Sequence, residues 1–96
     1  MNFKGEKNLN EKNQITLYFV DKSDKDQKEV KLIVTPNRTL NDLLPELSKM
    51  FKIRLDVIII VSPYGYALTI SDLYLAIEYL VDRYGTLFYV TLVCID

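Results

Sequence analysis

Leu40, Leu43, Leu44, Leu47 and Phe51 fall at i, i+3, i+4, i+7 and i+11, so a helix over this stretch carries one apolar stripe. Such a helix needs a flat apolar surface to lie on, and the segments before it supply one. Ile15, Leu17 and Phe19 alternate with Thr16 and Tyr18, and Val30, Leu32 and Val34 alternate through Glu29 to Thr35. A period of two with β-branched and aromatic residues predicts two half-buried strands. The polar run Asp21 to Lys28 joins them as a hairpin, and its charges read as a solvated tip. Pro36-Asn37-Arg38 ends the second strand, and Thr39 is a good N-cap with Asp42 three residues on. Pro45 lies past the first turn, so it either kinks the helix or moves its regular start toward Asp42.

The second half of the chain repeats the pattern. Val57 to Val61 is apolar on both faces and β-branched throughout, which predicts an inner or adhesive strand. Ser62-Pro63-Tyr64-Gly65 has turn chemistry, and Tyr66 to Ile70 reads as a short strand. Ser71 then caps a second helix with Asp72 in its first turn, running to Tyr84 on a stripe of Leu73, Ile77, Leu80, Val81 and Tyr84. Gly85 stands at the C′ position and Thr86 to Ile95 makes the closing strand. Met1 to Gln14, rich in Asn, Lys and Glu, buries too little to offset its ordering entropy and is expected to be a disordered tail before a domain over 15–96. The order strand, strand, helix, strand, short strand, helix, strand implies an α+β fold, a mixed sheet with two helices on one face.

Composition narrows the functional classes. Ninety-six residues allow one modest core, and 49% hydrophobic with 26% charged residues is the balance of an ordinary globular chain. The formal net charge of −1 offers no single-sign field for nucleic acid. The longest apolar stretch, Val57 to Val61, is far too short to insert in a membrane. The chain has no histidine, which removes the commonest general base and neutral metal ligand. Of its 13 acidic residues, five sit in the tail and the hairpin loop, where solvated carboxylates are expected, and the rest are scattered along the chain. No enzymatic role, cofactor, metal or small-molecule substrate is expected, and the remaining class is protein binding. The lone Cys94 suits a reducing compartment, which points to the cytoplasm.

The element order resembles the β-grasp arrangement of ubiquitin-like proteins. Within that group, Phe51-Lys52-Ile53, Ile60-Val61 and Gly65 resemble ubiquitin-fold modifier 1, whereas the run from Arg38 to Ile53 is similar to the first central helix of the autophagy-related protein 12 family. Val61, a helix from Asp72 to Tyr84 and Gly85-Thr86-Leu87 match that family's second half in spacing, over about residues 15 to 94. The loop Ser62 to Tyr66 and the ending Leu92-Val93-Cys94-Ile95-Asp96 depart from it, the latter lacking the terminal glycine that conjugation needs. The resemblance therefore implies a noncovalent partner of autophagy-related protein 5, promoting lipidation of autophagy-related protein 8 through an E2-like enzyme. A ubiquitin-fold modifier with its tail missing, or an adaptor of the Ras-binding or PB1 kind, are the alternatives. By the same resemblance Lys31 and Leu32 align with residues used toward the E2-like enzyme; the plainer reading of the pair is a solvated lysine beside a core leucine.

Period-two reading of the later strands turns Ile58, Ile60, Leu87 and Tyr89 toward the helices. Ile59, Val61, Phe88 and Val90 are then expected on the outer face, as an apolar protein-binding patch with Phe88 its main anchor. A shift of register by one residue, or cover from Phe3 and Leu9 of the tail, would change that assignment.

Overall fold

The computed structural model describes residues 13–92. Its strands are β1 (Ile15–Asp21), β2 (Glu29–Val34), β3 (Ile58–Val61) and β4 (Leu87–Leu92), and its helices α1 (Leu40–Phe51), α2 (Ile70–Leu73) and α3 (Ile77–Tyr84). They build a mixed sheet in the order β2-β1-β4-β3. The central pair β1 and β4 is parallel, and each edge strand joins it antiparallel. This is an α+β fold, with the core formed between the inner sheet face and the helices. Leu17, Phe19, Leu40, Leu47, Ile77, Leu80, Phe88 and Val90 are all fully buried there.

The first half follows its periodicities closely. Leu17, Phe19, Val30, Leu32 and Val34 are buried, and α1 covers them with Leu40, Leu43, Leu47 and Phe51. Thr39 caps α1, its hydroxyl accepting from the Asp42 N–H at 3.2 Å, so the helix starts at Leu40 and contains Pro45. The proline ring stays exposed, where its missing N–H leaves only one carbonyl to solvent. The helix stops at Lys52, which adopts a left-handed conformation (φ 59°), and the Ile53 N–H donates to the Ser48 carbonyl at 3.0 Å.

The second half differs from expectation in three places. The single helix expected from Asp72 to Tyr84 is two helices, separated at residues 74–76. Its cap is Thr69 and not Ser71: the Thr69 hydroxyl accepts from Asp72 N–H and the Asp72 carboxylate accepts from Thr69 N–H, a complete capping box. The break has a physical cause in the loop before α1. Ala76 forms an antiparallel bridge with Thr39, and the Ile77 and Glu78 N–H groups donate to the Arg38 and Pro36 carbonyls at 2.8 and 3.0 Å. Free N–H groups at the start of α3 thus find partners that a continuous helix would deny them. Asp72, itself buried, also accepts from Arg83 and the Tyr84 hydroxyl and so ties α2 to the end of α3.

Secondly, Tyr66 to Ile70 is no strand of its own. The chain turns at Ser62, whose buried hydroxyl accepts from the Tyr64 and Tyr66 N–H groups, and Gly65 takes a positive φ of 95° that suits glycine. Ala67 then makes one bridge to Val61 and the chain leaves for α2. Thirdly, the register of the closing strand is opposite to the expected one. The tail over 1–12 and residues 93–96, including Cys94 and the C-terminal Asp96, lie outside the described residues.

Candidate interaction face of the sheet

Each strand gives alternate residues to the two faces, so the inner set fixes the outer one. With Leu17 and Phe19 buried, Tyr18 and Val20 of β1 face out; with Leu32 buried, Lys31 and Ile33 of β2 do the same. Ile60 pairs with Val90 and both are buried, which leaves Ile59 and Val61 of β3 beside Thr91 and Tyr89 of β4 on the outer face.

Phe88 and Val90 therefore do not belong to the outer patch. Both are 0% exposed and point into the core, where the Phe88 ring lies 6.0 Å from Phe19 and 6.4 Å from Tyr84. The expected facing was one residue out of step. A signal for the true register lay in the sequence: Thr91 and the hydroxyl-bearing Tyr89 share one parity and favour the solvent face, whereas Phe88 and Val90 carry no polar atom that needs water. Leu32 is also corrected to the core, at 8% exposure, while its neighbour Lys31 is exposed on the outer face. Ile59 and Val61 do lie on the outer face, each half-buried.

The corrected face is continuous. Strand registers place Glu29, Val20, Tyr89 and Val61 in one row across all four strands, with Lys31, Tyr18 and Leu87 in the next. Val20, Leu87, Tyr89, Ile59 and Val61 shield one another only partly, and Ile33 toward the edge is 59% exposed. The margin of the patch carries charges of both signs, Glu29 and Lys31 on β2 and Lys22 past the end of β1. Lys22, just past β1, sets its ammonium 4.2 Å from the centre of the Tyr89 ring. An apolar, aromatic surface with Lys22 over Tyr89, and with Glu29 and Lys31 of opposite charge on β2, is suited to a partner with apolar anchors and an acidic group near Lys22. Among the described residues a concavity of about 320 Å³ away from this face is lined by Asn13, Thr35, Pro36, Asn37 and Glu78, where Glu78 is the only charged group. No cluster of three potential metal-ligating side chains occurs among the described residues, and no helix there is long and apolar enough to cross a membrane.

No protein-family model and no curated protein matches the sequence. Solved structures do match the fold. The ubiquitin of Caldiarchaeum subterraneum is 19% identical over 86% of this chain and 98% of its own, with a TM-score of 0.66. The ubiquitin-like domain of Plasmodium falciparum Dsk2 is 18% identical over 83% of this chain and 99% of its own, with a TM-score of 0.62. The C-terminal ubiquitin-like domain of mouse tubulin-specific chaperone e is 11% identical over 86% of this chain and 90% of its own, with a TM-score of 0.60. At these identities the likeness is one of architecture, and it matches the topology derived above: the chain has the ubiquitin-like β-grasp fold.

Proposed function

We propose that this domain is a protein-binding module without catalytic chemistry, and that it binds through the outer face of its sheet. One observation carries the reading: Val20, Tyr89 and Val61 form an unbroken apolar row on a face opposite the helices, beside the half-buried Ile59 and Leu87. Contiguous apolar surface on a small domain marks interaction sites, and tyrosine is among the residues that dominate binding energy. The absence of histidine from the whole sequence supports the noncatalytic part of the reading. The test compares tagged wild-type protein with Val61→Asp and Tyr89→Ser, each checked for folding by circular dichroism, in cross-linking and affinity capture from source cells. Proteins retained by the wild type should be lost with both variants. Retention of the same proteins at equal yield would place the interface elsewhere.

A narrower reading, noncovalent association with autophagy-related protein 5, is supported by the resemblance over Arg38 to Ile53 and by a helix, α3, standing between β3 and β4. In that case Lys31 would face the E2-like enzyme. Calorimetric titration with the source organism's autophagy-related protein 5 decides it: saturable one-to-one binding supports the reading, and no heat of binding removes it while leaving the outer-face module intact.

A further inference from the structure

The break between α2 and α3 shapes the concavity that lies away from the outer face. Because the Ile77 and Glu78 N–H groups bond to the Arg38 and Pro36 carbonyls, the first turn of α3 is held against the turn that follows β2. Asn13, just before β1, completes the lining, so three separate segments surround a volume of about 320 Å³. Its polar side chains are those of Asn13, Thr35, Asn37 and Glu78, and Pro36 supplies an apolar wall. None of these four makes a side-chain hydrogen bond or an ion pair to another described residue. Glu78 is the only ionised group of the lining, and the guanidinium of the neighbouring Arg38 is paired with Asp42 at 3.7 Å. The start of a helix would ordinarily favour an anion. Here the N–H groups of Ile77, Glu78, Tyr79 and Leu80 all have backbone acceptors, at 2.8 to 3.1 Å, so none is left to hold one.

We infer that this concavity binds an alkylammonium group, the end of a lysine side chain presented by another protein. An ammonium brings three donors and no acceptor. Glu78 meets its charge, the Asn13 and Asn37 amides and the Thr35 hydroxyl offer neutral acceptors, and the methylene stem packs along Pro36. Arginine's planar fork is matched by a bidentate carboxylate or phosphate, whereas separate single acceptors suit the rotating donors of an ammonium. A calcium-type ion takes about six to eight oxygens, several of them from carboxylates. One carboxylate in a concavity of this size does not supply them. Four of the five lining residues are exposed, so the site admits a side chain still attached to a protein surface. It draws on no residue of the outer face and does not depend on the function proposed for that face.

The probe is N-acetyl-lysine methylamide, titrated into isotopically labelled full-length protein and followed by nuclear magnetic resonance. The norleucine analogue keeps the stem and lacks the charge. The lysine probe should shift the amides of Thr35, Asn37 and Glu78 saturably, with a dissociation constant on the order of 1 mM. The norleucine analogue should bind about fivefold more weakly, and Glu78→Gln should weaken the lysine probe by about the same factor, the upper range for a solvent-facing ion pair. Asn37→Asp adds a second carboxylate to the lining and should tighten binding by about fivefold, a gain that unfolding does not mimic. Glu46→Gln, at an exposed carboxylate of α1, and Val61→Asp should leave the affinity unchanged. Lys12 adjoins Asn13 in the chain, so Lys12→Gln tests whether the chain's own lysine takes the place of an external one. Equal binding of the norleucine analogue, unchanged affinity in Glu78→Gln or Asn37→Asp, tighter binding of free butylammonium than of the lysine probe, or binding seen only in Lys12→Gln would each overturn the proposal.

Discussion

The inner and outer faces of this sheet are drawn from the same four strands, yet they meet different surroundings. On the inner face Phe19, Phe88 and Val90 are completely buried by the helices. Outward, Tyr18, Val20, Tyr89 and Val61 stand one residue away along the same backbones and keep partial contact with solvent. Within β3 and most of β4, apolar character alone does not distinguish the two sets. What does is the position of two amphipathic helices with only one stripe each, which can cover only one side.

The sharpest way to break the comparison is at adjacent residues of β4. Phe88→Ala removes a ring stacked on Phe19 and edge-on to Tyr84, leaving a cavity at the centre of the core. It should lower stability by about 3–5 kcal/mol, enough to unfold much of a marginally stable small domain. Tyr89→Ala, next in sequence, should cost no more than about 1 kcal/mol, a typical effect at a partly exposed strand position. Urea denaturation of both variants checks the difference. Equal losses would mean that the outer face is structural and not free for a partner.

On β2 the same comparison is smaller because the strand is an edge. Leu32→Ala should cost about 2–3 kcal/mol, at the low end for a buried leucine since one side of the strand can relax. Lys31→Ala should lie within about 0.5 kcal/mol of the wild type. Thermal melts read the pair. If Leu32→Ala were as mild as Lys31→Ala, then Leu32 would belong to a binding surface after all.

These contrasts also show where sequence sufficed. In β1 and β2, polar residues such as Thr16 and Lys31 interrupt the apolar ones, so period two assigns Leu17, Phe19, Val30 and Leu32 to the core without ambiguity. The α1 stripe and its Thr39 cap were legible for the same reason: each rests on local chemistry. Ile58 to Val61 and Leu87 to Val90 have apolar residues at every position, and alternation then carries no information about facing. Thr91 and the Tyr89 hydroxyl alone break the symmetry. The interruption between α2 and α3 was hidden by a different cause, since Leu73, Ile77 and Leu80 keep helical spacing across it. It depends on carbonyls of Pro36 and Arg38, some forty residues away in the chain, and no local pattern reports a tertiary partner. The candidate site inherited the register error, so Ile59 and Val61 were placed correctly on the outer face whereas Phe88 and Val90 were not.

Val61→Asp tests the outer face with little disturbance to the core. Its side chain sits beside Tyr89 and is half-buried, so the carboxylate remains hydrated and the stability change should stay within about 1 kcal/mol. Loss of partner capture with an unchanged melting temperature would sharpen the division between the faces. A fall in stability comparable to that of Phe88→Ala would erase it.

The smallest effect concerns Lys22, and it bears on what kind of partner the proposed outer-face interface would admit. Its ammonium lies 4.2 Å from the Tyr89 ring centre, near the middle of the apolar row, although the residue itself follows the last position of β1. The Lys22 N–H donates to the Val90 carbonyl at 3.0 Å, which fixes where its side chain starts. An exposed cation over an aromatic face contributes about 0.5–1 kcal/mol, so Lys22→Ala should lower stability by no more than that. The stronger expectation is electrostatic. A charge held at the patch accelerates encounter with an acidic partner and is screened by salt over about 10 Å at 0.1 M. Lys22→Ala should therefore slow association with a partner captured through the outer face and flatten the dependence of the association rate on ionic strength, while dissociation changes little. Surface plasmon resonance at two salt concentrations separates these quantities. If the variant altered dissociation alone, Lys22 would be acting through packing on Tyr89 and the acidic character of the partner would have to be abandoned.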